Sequence, residues 1–529
     1  MQLFNNFLSK SLAIAALTTA TFALAQAPQV TIDSGKLAGS VTDGIAEFKG
    51  IPYAAPPLGD LRWRAPQPVA PWTGVRQATV QAHDCLQNAF KDDMAPPILP
   101  TSEDCLYLNV LTPAEKPATP LPVVFWIHGG GSVIGGTTPK IYQGEAFVKN
   151  GVIFVGIAYR LGRLGYFAHP ALTAANADGL LGNYGYMDQI AGLKWVQRNI
   201  AAFGGDPKNV TIMGESHGGR SVQMLLGTSL AKGLFARAIV ESGFGRMYQP
   251  QLSAPVGEGN PSAEDVGFKF AKSLGVEGTD KAALAKLRSL PAETIIGTVG
   301  YALGRDGYSG PMIDGKLVPA DTPDIYLSGD NLRVPLLMGG NDEDTGTAPG
   351  ATEEEVYSTF GPYADQAKKI YSSYAPKDLA ALKSLIGRDR QVLEAARFVN
   401  RIFASEGLPV YEFRFSYVAE TMRTQWTGAH HASEVPYVFN TLPGEYGADK
   451  VTEHDKQVGV TMLKYWTNFM KTGDPNGPGL PAWPKFTPTG DMLMNFTAAG
   501  APVAMPDPVK DRLDIVSESV SAVPTTPKR

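Results

Sequence analysis

Residues 210–219 read Val-Thr-Ile-Met-Gly-Glu-Ser-His-Gly-Gly, and no other string constrains the fold of this chain as strongly. The apolar run 210–213 stops at Gly214 and has the length and composition of a buried strand. Ser216 follows in a Gly-x-Ser-x-Gly frame, and Gly219 opens a helical pattern through Ser221, Val222, Gln223, Met224, Leu225 and Leu226. A strand that feeds a helix through so tight a turn lifts one side chain off the sheet and strains its backbone. Gly214 and Gly218 leave room for the turn, and Ser216 Oγ is expected exposed at a helix N-terminus. The frame alone is weak evidence, since an ordinary glycine-rich turn between strand and helix also carries it.

A reactive serine needs a base, an acid to orient the base, and donors for the oxyanion. The apolar run 123–127 ends in His128-Gly129-Gly130-Gly131, where glycines free backbone N–H groups to point at a bound oxygen. Downstream, the apolar run 334–338 leads into Gly339-Gly340-Asn341-Asp342-Glu343-Asp344-Thr345. Gly428-Ala429-His430-His431-Ala432-Ser433-Glu434 comes later still. The chain order is glycine loop, serine, acid, histidine. That is the order of α/β-hydrolases and differs from those of the chymotrypsin and subtilisin folds.

On these strings the chain resembles the type-B carboxylesterases, the family that includes the cholinesterases. The likeness extends through Gly50-Ile51-Pro52-Tyr53-Ala54, Leu61-Arg62-Trp63, Ser102-Glu103-Asp104-Cys105-Leu106, Gly182-Asn183-Tyr184-Gly185 and Phe203-Gly204-Gly205-Asp206-Pro207 to Glu241-Ser242-Gly243. The resemblance implies an α/β-hydrolase fold with a mostly parallel central sheet, helices on both faces and helical insertions roofing the site. It implies Ser216 as nucleophile and His431 as general base, because His431-Ala432-Ser433-Glu434-Val435 fits the family pattern and His430 does not. It implies the N–H groups of Gly130, Gly131 and His217 as oxyanion donors. The family's acid is usually a Glu. Counting from Asn341 puts Asp344 at its place, one methylene shorter, with Glu343 as the alternative. His217 stands where the family has Ala, and its imidazole either faces the site mouth or packs. Ser132 replaces an aromatic residue and should widen the pocket beside the glycines. Glu215 and Ser242 match supporting residues near the triad. His431 and Glu434 could also be read as metal ligands, but no third ligand has sensible spacing, so neither metal nor cofactor is expected.

The first residues carry Lys10, an apolar run over 12–24 and Ala23-Leu24-Ala25, the pattern of a secretory leader cut after Ala25. The alternative is a membrane anchor, but the run is shorter than the ~20 residues a bilayer requires. The expectation is an exported protein, periplasmic or extracellular, without a membrane anchor. In such a protein Cys85 and Cys105 read as a disulfide, which the resemblance supports, with two buried thiols as the alternative. A net charge of -5 without a basic run gives no reason to expect nucleic acid.

Length alone would suggest several domains. The motifs are instead scattered from Gly129 to His431, so one domain over 26–529 must gather them. Short strands are expected up to about Ala78, then strands alternating with helices, and helices over 263–274, 281–290, 353–404 and 453–470. The Pro- and Ser-rich last thirty residues are expected to wrap the surface or fray. His83, His169 and His454 read as structural, and Asp188 and Gln189 as polar residues that stabilise a helix.

The expected function is a secreted serine esterase working through an acyl-enzyme on small-molecule or polymeric esters. An amidase, or a hydrolase of polymer, plasticiser or toxin esters, is the alternative within the same chemistry. A non-catalytic cholinesterase-like adhesion module is the alternative outside it. The substrate rests on pocket walls such as 244–252 and 301–308, which vary freely under one chemistry.

Overall fold

The computed structural model describes residues 27–90, 93–176, 179–254, 261–300 and 307–522. The expected leader and residues 301–306 of the pocket wall lie outside the described residues.

Among the described residues, eleven strands form one sheet. From one edge they are Ser40–Thr42, Ile45–Pro52, Tyr107–Pro113, Ile153–Ile157, Leu121–Ile127, Gly205–Glu215, Arg237–Glu241, Leu336–Asn341, Val410–Phe415, Met492–Phe496 and Pro502–Pro506. The strands from Ile153–Ile157 to Met492–Phe496 are parallel, and those at both edges pair antiparallel. Parallel strands need crossover connections, and these place helices on both faces, so the strands read as unbroken apolar runs. Val123, Val124, Phe125, Trp126 and Ile127 are all buried.

Their side chains alternate between two cores. Val123, Phe125, Ile127, Val210 and Ile212 pack with Leu193, Trp195 and Val196 of the helix Tyr184–Asn199. Val124, Trp126 and Met213 pack on the other face with Met462, Trp466 and Phe469 of the helix Glu453–Thr472. Asp188 and Gln189 act on the first face as expected. Asp188 holds the buried Arg160 at 2.7 Å, and Gln189 donates to Ser221 Oγ at 3.0 Å.

Register explains how distant motifs meet. Gly214 lies opposite Ile127, Glu215 opposite Glu241, and Glu241 opposite Gly339. The chain therefore leaves the sheet at nearly one level after Ile127, Glu215 and Glu241, and two residues further on after Asn341. The glycine loop, Ser216, Ser242 and Asp344 come off the carboxyl edge together, where ligands bind in open α/β sheets.

The insertion helices Ala263–Ser273 and Lys281–Ser289 form where their patterns place them, the first capped by a Ser262–Asp265 box. The tail differs from expectation. Residues 510–522 form the helix Lys510–Ala522, with Leu513, Ile515 and Val516 buried. Leu513 joins Val392 and Leu393, and Ile515 and Val516 join Tyr371, Leu382 and Ile386. Arg397, on the helix Glu394–Ser405, pairs with Asp514 at 2.9 Å. Burial of this apolar stripe outweighs the Pro- and Ser-rich composition around it. Among the described residues, no helix is long and apolar enough to cross a membrane.

Cys85 and Cys105 form a disulfide, both residues buried, and close a 20-residue separation. Loop-closure entropy in the unfolded chain makes such a bridge worth about 3 kcal/mol. The Cys85→Ser/Cys105→Ser double variant should lose stability of that order in urea unfolding. Alkylation of the unreduced, denatured wild type should find no free thiol.

Candidate active site

Ser216 stands between the strand Gly205–Glu215 and the helix His217–Leu226 with φ +56° and ψ −121°. Such a backbone costs a non-glycine residue ~1–3 kcal/mol and persists only where the surroundings over-determine it. Here the Ser216 N–H donates to Glu241 O at 2.9 Å. A Cβ on Gly218 would lie 2.0 Å from Ile127 O, and one on Gly214 2.4 Å from the Gly218 carbonyl carbon. The glycines are required by close approach of backbone to backbone, which locks helix, turn and two strands into one unit.

His431 bridges Ser216 and Asp344. Its Nε2 lies 2.9 Å from Ser216 Oγ and its Nδ1 2.6 Å from Asp344 Oδ1. The short Asp reaches because its loop turns back at once: Asp344 Oδ2 accepts from Asn341 N–H at 2.9 Å and from Ser242 Oγ at 2.7 Å. Its Oδ1 also accepts from Thr345 N–H at 2.7 Å. Burial pushes the Asp344 carboxyl up, but the His431 charge and hydrogen bond, with the Asn341 and Ser242 donors, bring it below the usual range. Asp344 is thus held as a carboxylate against the imidazole.

Glu343 and His430 are not part of this group. Glu343 is ion-paired with Arg388, and its N–H donates to Ala429 O at 3.0 Å. His430 is exposed, with its ring 4.8 Å from that of Trp426. His83, His169 and His454 lie elsewhere: His83 Nδ1 is 2.6 Å from Pro100 O, His169 caps the helix Pro170–Ala175, and His454 faces Glu420 at 3.2 Å.

Three buried carboxyl groups cluster beside the triad. Glu215 Oε1 lies 3.3 Å from His431 Nε2. Glu434 accepts from Asn341 Nδ2, and Glu241 accepts from Trp466 Nε1 at 2.6 Å. Burial raises all three, lifting Glu215 to about 8 even though the charge of His431 draws it down. Sequence reading identified Glu215 as a supporting residue but not Glu241. The available signal was a carboxyl at the end of the apolar strand Arg237–Glu241.

Gly130 and Gly131 adopt φ +96° and +63°, a turn closed by Val133 and Ile134 N–H donating to Gly130 O at 3.0 and 3.1 Å. Gly131, Ser216 and His217 line a cavity of about 390 Å³ together with Phe244, Met247 and Tyr248. The His217 ring packs among tyrosines, stacked on Tyr186 at 6.0 Å and edge-on to Tyr166 at 5.9 Å. Ser132 does not leave open space: its Oγ meets Tyr308 OH at 3.0 Å, and both residues are buried. Tyr308 takes the room that the short side chain leaves. Among the described residues, no three His, Cys, Asp or Glu side chains gather as a metal ion would require.

This fold and this constellation define an α/β-hydrolase of the esterase class. The model of the carboxylesterase family matches residues 26–511, and the chain belongs to that family. It is 32% identical over 487 residues to the fumonisin B1 esterase of Sphingopyxis macrogoltabida, covering 88% of this chain and 86% of that protein. It is 32% identical over 477 residues to the para-nitrobenzyl esterase of Bacillus subtilis, covering 86% and 92%. A solved structure of PNB esterase superposes with a TM-score of 0.78 at 29% identity, over 92% of this chain and 99% of that one. The protein is a carboxylic ester hydrolase.

The geometry separates the two neighbouring acids. Asp344→Asn should keep the contact to His431 but favour the wrong tautomer, lowering kcat by ~10⁴. Glu343→Gln, which removes an ion pair to Arg388, should cost less than tenfold. Steady-state kinetics of the two variants, with circular dichroism as a folding control, checks the contrast.

Proposed function

We propose that the protein is an exported serine carboxylesterase that hydrolyses small carboxylic esters through an acyl-enzyme. The observation that carries this reading is the continuous hydrogen-bonded chain Asp344–His431–Ser216 at the wall of the cavity. Ser216 Oγ attacks the ester carbonyl while His431 Nε2 takes its proton. Asp344 holds the imidazole in the tautomer that can accept there and compensates the imidazolium that forms. The N–H groups of Gly130, Gly131 and His217 receive the oxyanion, each donor of this kind being worth ~10²–10³ in turnover. The C–O bond to the alcohol breaks, and the alcohol departs with the proton from His431. Water then attacks the acyl-enzyme, His431 takes its proton, and the acid leaves as Ser216 recovers its hydrogen.

The leader pattern over residues 1–25 and the Cys85–Cys105 disulfide support export, since such bridges persist in oxidising compartments. The relatives named for esterase activity support small esters as substrates.

Ser216→Ala should lower kcat/KM for a p-nitrophenyl ester by at least ~10⁴ while circular dichroism and the urea midpoint stay near wild type, because triad members act as a unit. Turnover within tenfold of wild type would remove Ser216 from the mechanism.

A further inference from the structure

Most buried arginines among the described residues have an anionic partner. Arg62, Arg160, Arg397, Arg414 and Arg512 each face a carboxylate. Arg246, on the cavity wall, is held by both oxygens of Glu394 at 2.7 and 2.8 Å and lies 3.6 Å over the Phe398 ring. Arg220 is different. It also lines the cavity, one helical turn after Ser216, with its N–H donating to Ser216 O at 2.9 Å. Its Nε, like those of Arg397, Arg414 and Arg512, is buried without a hydrogen-bond partner, but among the described residues its guanidinium has no carboxylate or aromatic partner.

A guanidinium that lies partly out of water with a buried donor unmatched and no counter-charge is costly for folding and suited to binding an anion. Glu394 neutralises Arg246, so Arg220 is the uncompensated charge among these wall residues. Spacing by one turn puts this charge on the same face of the helix as Ser216, about 6 Å along the axis. An ester whose carbonyl sits at Ser216 Oγ therefore has a fork of donors within reach of another part of the same molecule.

We propose that Arg220 is a specificity residue and that the enzyme takes esters carrying a free carboxylate a few bonds from the scissile carbonyl. Monoesters of dicarboxylic acids are the simplest such class. The proposal rests on the esterase reading above and names its substrate class. The carboxylate pairs with the Arg220 fork, and this charge-assisted contact fixes the carbonyl over Ser216. The cation is fixed on a helix, so the fit depends on the length of the spacer between carbonyl and carboxylate.

The test is a kinetic panel on the full enzyme. One arm carries the carboxylate on the acyl side (p-nitrophenyl monoesters of succinate, glutarate and adipate). A second carries it on the alcohol side (4-carboxyphenyl butanoate). The controls are neutral p-nitrophenyl butanoate, pentanoate and hexanoate, with Ser216→Ala as blank. Wild type should favour at least one anionic ester over its neutral counterpart by tenfold or more in kcat/KM. That ratio should fall at least tenfold in Arg220→Gln and recover in part in Arg220→Lys, mainly through KM. In wild type alone, raising the salt from 0.05 to 0.5 M should shrink the preference, and free glutarate should inhibit better than butanoate. A wild-type ratio near one in both arms, or a ratio unchanged in Arg220→Gln, overturns the proposal. Neutral-ester hydrolysis that is lost in Ser216→Ala would leave the esterase reading standing in that event, and its absence would overturn both.

Discussion

The strained backbone of Ser216 is the feature on which the rest of the site depends. A φ of +56° at a residue with a side chain persists only because the helix after it is pressed onto the strands before and beside it. The contact of Gly218 with Ile127 O and the hydrogen bond from Ser216 N–H to Glu241 O hold the turn from both sides. The same two strands aim the loops that follow them. The Leu121–Ile127 strand delivers the glycine loop, and the Arg237–Glu241 strand delivers Ser242, the donor to Asp344. Loss of close packing at one glycine would move serine, glycine loop and acid together.

Around that geometry the electrostatics is asymmetric. Asp344 has several donors and stays ionised in a buried setting, whereas Glu215, Glu241 and Glu434 are pushed toward their neutral forms. Carboxyl groups crowded together in a dry interior cannot all carry charge, and the one with the most donors keeps it. On the proposed mechanism this division suits the reaction. One carboxylate compensates the imidazolium through Nδ1, and Glu215 near Nε2 adds little negative charge where Ser216 must give up its proton.

Much of this was legible in the sequence because it is local. A glycine-framed serine between an apolar run and a helical pattern states its own turn. The family pattern counted from Asn341 offered Asp344, with Glu343 as the alternative, because the two acids are neighbours in one short loop. The features that were not legible depend on partners far along the chain. Arg388 captures Glu343, whereas Asp344 meets His431, Asn341 and Ser242. The space beside Ser132 is filled by Tyr308, 176 residues away. The tail helix Lys510–Ala522 owes its order to a groove beside the residues around Val392 and Tyr371, and composition carries no trace of it. Arg220 reads as an ordinary helix residue until its surroundings show no carboxylate beside its guanidinium among the described residues.

The central claim is that one serine, set on this strained turn, carries the acyl group. The direct measurement is intact-protein and peptide mass spectrometry after reaction with a fluorophosphonate, which phosphonylates serines activated by a neighbouring base. The account predicts one adduct per chain, on the peptide containing Ser216, with loss of esterase activity in step with labelling. An adduct on a different serine that tracks the loss of activity, or full activity after Ser216 has been labelled, would contradict it.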